Sequence, residues 1–115
     1  QHVDRIKELA AQGAYDGVAF HRVIEGFMAQ TGDVEFATRD TVGLGRAGTG
    51  GSDLPDLPAE FSATPFLRGT VGMARAQDPN SANSQFFIMF DEGARTCASA
   101  YSPAEGVRPC TAAPC

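Results

Sequence analysis

Residues 1 to 96 contain no cysteine; all three cysteines, Cys97, Cys110 and Cys115, fall in the last 19 residues. An odd number without paired spacings is neither a set of zinc ligands nor a disulfide framework, and the cysteine-free stretch either mildly favours a reducing compartment or says nothing about it. Long apolar runs are lacking too, so nothing approaches the roughly 20 consecutive apolar residues of a membrane span. Basic residues are few and scattered: 9 Lys and Arg against 14 Asp and Glu leave a net charge of −5. That argues against nucleic acid or an anionic membrane as partner, since both are gripped by clustered cations. The glycine-rich centre lacks the Gly-Lys-Ser/Thr ending of a phosphate loop. There is no Gly-x-Ser-x-Gly elbow to anchor a hydrolase triad. Two histidines 19 positions apart, with cysteines only in the tail, do not suggest a metal site. The chain begins at Gln1 rather than Met, which is compatible with a removed upstream segment, a signal peptide included. The cytoplasm is the expected location.

What is present fits one soluble globular domain: 115 residues, 43% hydrophobic and 20% charged, with 13 Gly and 7 Pro pointing to many turns. Val3, Ile6, Leu9 and Ala10 recur at helical spacing, and Gly13 is placed as a left-handed stop, so residues 2 to 12 are expected as an amphipathic helix. After the turn Tyr15-Asp16-Gly17, strands are expected over Val18 to Ile24 and Phe27 to Gln30, with Glu25-Gly26 between them and Gly32-Asp33 closing the second. Residues 33 to 58, centred on Gly43 to Gly51, read as a long surface loop, a feature uncommon unless functional or disordered. Two more strands are expected over Gly69 to Ala74 and Gln85 to Phe90. The last 22 residues hold six Ala, three Cys and three Pro, and all eight Phe lie between positions 20 and 90. Residues 1–93 therefore read as the domain and 94–115 as an atypical tail, disordered or derived from a shifted reading frame.

Chemistry-bearing residues are threaded through the apolar strands. Alternation puts Phe20, Arg22 and Ile24 on one face, pairs Met28 with Gln30, and pairs Gln85 with Phe87 and Met89, leaving Phe86, Ile88 and Phe90 as the expected core. If the strands lie side by side, Arg22, Met28, Gln30, Gln85 and Phe87 form apolar ground carrying one guanidinium and two amides. Each residue alone has an ordinary explanation: an edge or ion-paired arginine, a hydrogen-bonded structural histidine at His21, gap-filling methionines. Their joint occurrence in order does not.

In that order the chain resembles the cyclophilin family of peptidyl-prolyl cis-trans isomerases, most like its bacterial-type members. The resemblance runs through Tyr15-Asp16-Gly17, Phe20-His21-Arg22-Val23-Ile24, Phe27-Met28-Ala29-Gln30-Thr31-Gly32-Asp33, Gly48-Thr49-Gly50-Gly51, Gly69 to Ala76 and Asn80 to Ile88, and covers roughly residues 2 to 93. It implies a mainly β fold, an antiparallel β-barrel with capping helices, here incomplete with one helix and about four strands. The opening hairpin that would precede Gln1, and the later strands and second helix, are not in this sequence. It also implies that Arg22 is catalytic and that Phe27, Met28 and Phe87 line a proline pocket. By the same resemblance His21, Gln30 and Gln85 orient the peptide, Ala74, Arg75 and Ala76 contact its backbone, and the loop from Gly48 borders a neighbouring subsite. Many eukaryotic members carry Asn where Arg75 stands, a change of little consequence for a main-chain contact.

Those residue types suit rotation of an X-Pro bond, which needs no nucleophile, cofactor or metal. Twisting the bond costs amide resonance and returns a lone pair to the prolyl nitrogen, which a fixed cationic donor binds more tightly than in either planar state. The partners implied are proline-containing peptides, unfolded or folding proteins, and cyclosporin-like cyclic peptides, with the chain a monomer. The expected function is prolyl isomerisation assisting protein folding. The alternatives are a non-catalytic proline-peptide binder and an inactive fragment without stable structure.

Overall fold

His2–Ala11 forms α1, capped by Gln12 and followed by Gly13 at φ 73°, a backbone angle that favours glycine. The computed structural model describes residues 1–60 and 66–91. The buried stripe of α1 is not the expected one. Arg5 and Leu9 are buried and Ile6 half-buried, whereas Val3 is 66% exposed. Burial of Arg5 rotates the helix: its guanidinium donates to the main-chain oxygens of Pro55 at 2.8 Å and Asn83 at 3.5 Å, which satisfies a charge that would otherwise be costly to enclose.

Four short strands follow: β1 (Arg22–Ile24), β2 (Met28–Thr31), β3 (Val71–Met73) and β4 (Phe86–Met89). They pair antiparallel in the order β1-β2-β4-β3. Among the described residues the fold is thus one helix and an unclosed sheet, the mainly β architecture expected of an incomplete barrel. A tight turn joins β1 to β2, closed by the Phe27 N–H donating to the Ile24 carbonyl at 3.0 Å, with Gly26 at φ 70°.

The first expected strand is split. Val18 bridges Thr38 and the Ala19 N–H donates to the Ala37 carbonyl at 2.8 Å, so the main chain of residues 18–19 pairs with the loop beyond β2, while the Ala19 carbonyl accepts from Thr31 Oγ1 of β2 at 2.9 Å. β2 ends where Gly32, at φ 94°, lies against the Ser84 carbonyl; an added Cβ would come within 2.5 Å of that oxygen. The loop over 33–58 runs on the surface as expected, with a 3-10 turn at Val42–Leu44, but carries its own buried anchors in Asp33, Ala37 and Leu57.

The two faces of the sheet are buried differently from expectation. One carries Met28, Gln30, Phe87 and Met89, each 1–2% exposed; Met28, Phe87 and Met89 cluster with Ala74, Ile24 and Phe66. The other, expected as core, has Phe86 and Ile88 only half-buried and Phe90 42% exposed. Phe86 and Ile6 of α1 pack with Leu57, Met73 and Ala82. Farther along, Val23, Ala29, Ile88 and Val71 stand in one cross-strand row whose ends, Val23 and Val71, are 60% and 57% exposed. Core burial on that face needs a second layer, which the described residues supply only near α1. The tail over 94–115 lies outside the described residues.

Candidate active site

Strand register assembles the site. Arg22 pairs with Gln30, Gln30 with Phe87, and Phe87 with Gly72, so one row crosses all four strands with a cation at one end and an aromatic ring beside a glycine at the other. Directly opposed residues of antiparallel strands share a face, which places the guanidinium, amide and ring on common ground. The next row, Ile24, Met28 and Met89, supplies apolar flooring.

Gly72 is what lets the ring lie flat. A Cβ there would collide with the Phe87 ring and stand 2.8 Å from Cε1 of Phe66, whose ring is 5.6 Å from that of Phe87 at a tilt of 40°. Phe87 and Met28 are each 2% exposed and belong to the core cluster, while Phe27, at the turn, is 39% exposed, so, contrary to expectation, the three do not line an open pocket among the described residues. Neither Gly72 nor Phe66 was expected in the site. A glycine inside a β-prone run was the available signal, since it marks close approach.

The two amides are linked. Gln30 Nε2 donates to Gln85 Oε1 at 2.9 Å, and Gln85 Nε2 donates to the carbonyls of Gly48 at 3.0 Å and Gly50 at 2.8 Å. The Gln85 amide is therefore engaged by the protein itself. Gly48 and Gly50 are in turn held by Asp33, a fully buried carboxylate whose Oδ2 accepts their N–H groups at 2.7 and 3.0 Å. Its Oδ1 accepts from Glu35 at 3.1 Å and Phe36 at 2.8 Å. Burial pushes the Asp33 pKa up, but the four backbone donors outweigh it and hold the carboxyl below its ordinary value. In the sequence Asp33 closes a strand and ends the motif Phe27 to Asp33, with nothing to mark it as an anchor of the glycine loop.

His21 is half-buried against the same loop, where a Cβ on Gly48 would lie 3.3 Å from its ring. Neither ring nitrogen has a hydrogen-bond partner among the described residues. Burial lowers its pKa, with Asp33 opposing and Arg22 reinforcing the shift.

A pocket of about 110 Å³ is lined by Gly48, Thr49, Gly50, Ala74, Arg75, Ala76, Ser81, Asn83, Ser84 and Gln85, and meets the row through Gln85, which holds Gln30. The Ala74 N–H donates to the Gln85 carbonyl at 2.9 Å, so strand alternation turns the Arg75 main chain away from β4. The Arg75 side chain is buried, donating from Nη1 to the carbonyls of Ala76 at 3.0 Å and Gln77 at 3.1 Å. The Ala76 N–H is held by Ser81 Oγ at 2.8 Å.

The site is thus an apolar sheet face with a cation at its margin and two linked amides, beside a pocket. The family model described as cyclophilin type peptidyl-prolyl cis-trans isomerase matches residues 1–100. A probable peptidyl-prolyl cis-trans isomerase of Brucella abortus is 70% identical over 94 residues, covering 81% of this chain and 48% of that protein. A peptidyl-prolyl cis-trans isomerase of Synechococcus elongatus is 42% identical over 81 residues, covering 70% of this chain and 48% of that protein. Among solved structures, a cyclophilin from Cryptosporidium parvum, crystallised in the presence of the dipeptide Ala-Pro, superposes with a TM-score of 0.65 at 30% identity, covering 80% of this chain and 55% of that one. The chain belongs to the cyclophilin-type peptidyl-prolyl cis-trans isomerase family. It spans about half the length of the curated relatives it matches.

Proposed function

We propose that this chain carries the catalytic face of a peptidyl-prolyl cis-trans isomerase acting on X-Pro bonds in peptides and folding proteins. The observation that carries this reading is the row Arg22, Gln30, Phe87 and Gly72 in register across four strands. Arg22 is the catalytic residue: as the bond twists, its permanently charged guanidinium donates to the prolyl nitrogen and stabilises the twisted state over both planar ones. Phe87 and Met28, each 2% exposed, receive the pyrrolidine ring once the side chains packed on them, Phe66 among them, give way, with the more exposed Phe27 beside them. Excluding water there strengthens the interaction with the cation. Gln30 neighbours Arg22, and Gln85 holds Gln30. Arg75 offers its main chain to the extended peptide, and the pocket between Gly48 and Ala76 receives a neighbouring side chain. The Ala-Pro dipeptide used with the Cryptosporidium parvum cyclophilin supports proline as the recognised residue. Cyclosporin-like cyclic peptides are expected to compete for the same face.

The test is NMR exchange spectroscopy of a proline peptide, which reads cis-trans interconversion directly, with the wild-type chain and Arg22→Ala. Catalysed exchange that Arg22→Ala abolishes is the expected result; equal rates in both would remove Arg22 from the mechanism. A second reading, proline-peptide binding without catalysis, is favoured by the open pocket between Gly48 and Ala76, whose lining does not include Arg22. It predicts peptide shifts on titration with no gain in exchange rate.

A further inference from the structure

Gln85 has two N–H bonds on Nε2, and both are directed at carbonyl oxygens, those of Gly48 and Gly50. Carbonyls cannot donate, so the amide has one orientation: Nε2 toward the loop, Oε1 toward Gln30. Oε1 then requires a donor, and Gln30 supplies Nε2 at 2.9 Å. The polarity of Gln30 is thereby set as well. Its own Oε1, buried and without a partner among the described residues, is an acceptor in the row between Arg22 and Phe87. Reversing either amide would set two donors or two acceptors against each other.

The two carbonyls that start this chain are placed by Asp33, whose Oδ2 holds the N–H groups of Gly48 and Gly50 while Oδ1 is fixed by Glu35 and Phe36. Gly48 lies at φ 97°, a backbone angle open to glycine, and the carboxylate binds its N–H in that conformation. We propose that Asp33 is a positioning residue for the isomerase site, fixing through Gly48 and Gly50 the polarity of Gln85 and Gln30, so that Gln30 presents an acceptor beside Arg22. This rests on the isomerase reading above. Asp33 touches neither the substrate nor Arg22 in this role; it acts through two amides.

The test compares the wild-type chain with Asp33→Asn. Asparagine keeps an acceptor for Glu35 and Phe36 but sets an NH₂ group against the N–H groups of Gly48 and Gly50. Three readings are taken: side-chain NH₂ signals of Gln30 and Gln85 by ¹⁵N NMR, kcat and KM from catalysed exchange of a proline peptide, and thermal melting. The expected result is that both glutamine signals move together, kcat falls about 10- to 100-fold, and KM changes less than about twofold, as for a misaligned rather than a missing group. Unmoved glutamine signals, or a melting temperature that falls while kcat holds, would overturn the proposal and leave Asp33 a loop anchor. Should Asp33→Asn fail to fold, Gln85→Leu decides, since it breaks the chain below the loop. The same kcat-selective loss with Gly48 and Gly50 signals in place supports the proposal, and unchanged kcat overturns it. A wild-type chain without catalysed exchange sinks the isomerase reading and the catalytic part with it, while the glutamine signals still judge the structural link.

Discussion

Arg22 stands directly opposite Gln30 across the β1–β2 ladder, and the Gln30 amide is tied at 2.9 Å to Gln85 on the neighbouring side. The cation thus sits at the margin of an apolar face, beside an amide that cannot turn freely. A guanidinium in that position donates through a planar fork of fixed geometry, whereas an ammonium is a compact and strongly hydrated point charge.

Arg22→Lys should therefore lower kcat nearly as far as Arg22→Ala, by about 10²- to 10³-fold, the usual loss when a preorganised donor is removed. Exchange spectroscopy on a proline peptide measures it. Lysine activity within about threefold of wild type would mean that charge alone suffices and that fork geometry is irrelevant.

Gly72→Ala addresses the other end of the row. The added methyl would meet the Phe87 ring and Cε1 of Phe66, so the ring must tilt off β3 or the strand must shift. Overpacking of this kind costs about 1–3 kcal/mol. The same displacement disturbs the ring seat, so KM for a proline peptide should rise along with the fall in stability. Denaturant unfolding and peptide titration check both. Lost stability with unchanged peptide affinity would place the seat elsewhere.

Much of the site was legible because strand alternation is a local property. Arg22, Met28, Gln30, Phe87 and Met89 share a face whatever else surrounds the sheet, and the register of β1, β2 and β4 brings them together. Burial is not local, which is why Phe86, Ile88 and Phe90 read as core and are not fully enclosed. Their depth depends on what packs over them, not on period. Arg5 defeated the helical pattern for the same reason, since its burial depends on carbonyls of Pro55 and Asn83, fifty and more positions away. Asp33 stayed hidden because a carboxylate after a glycine looks like any turn; its four backbone donors come from two separate segments of the loop.

Tyr15 separates stability from catalysis. Its hydroxyl donates to the Ser84 carbonyl at 2.8 Å and its ring meets Phe86 edge-on at 5.5 Å, on the face away from Arg22. Burial, partly offset by Arg5, raises its pKa to about 12. Tyr15→Phe should cost about 1 kcal/mol through the lost hydrogen bond and leave kcat unchanged. Ultraviolet titration of the wild type, with the variant subtracted, should show a phenol ionising near pH 12. Ionisation near 10 would mean that the ring is open to water.

Acid should destabilise the fold in two stages with separate causes. His21 is held neutral mainly by burial, below its ordinary 6.5, so as pH falls through 6.5 the unfolded chain takes up a proton that the folded chain resists. Stability declines from there until the folded value is reached, and is fully present above 6.5. Asp33 acts lower down. Despite its burial, its backbone donors keep the folded carboxyl below 3.8, so its contribution is intact above that value and is lost as pH falls through the folded one. Urea unfolding at steps between pH 7.5 and about 3 resolves the two stages. His21→Phe should remove the upper limb and Asp33→Asn should shrink the lower one, to which Glu60 also contributes because the His2 N–H holds its carboxyl below the ordinary value. A wild-type profile flat between pH 7 and 5 would show that His21 titrates normally, so the loop from Gly48 would not shield its ring from water.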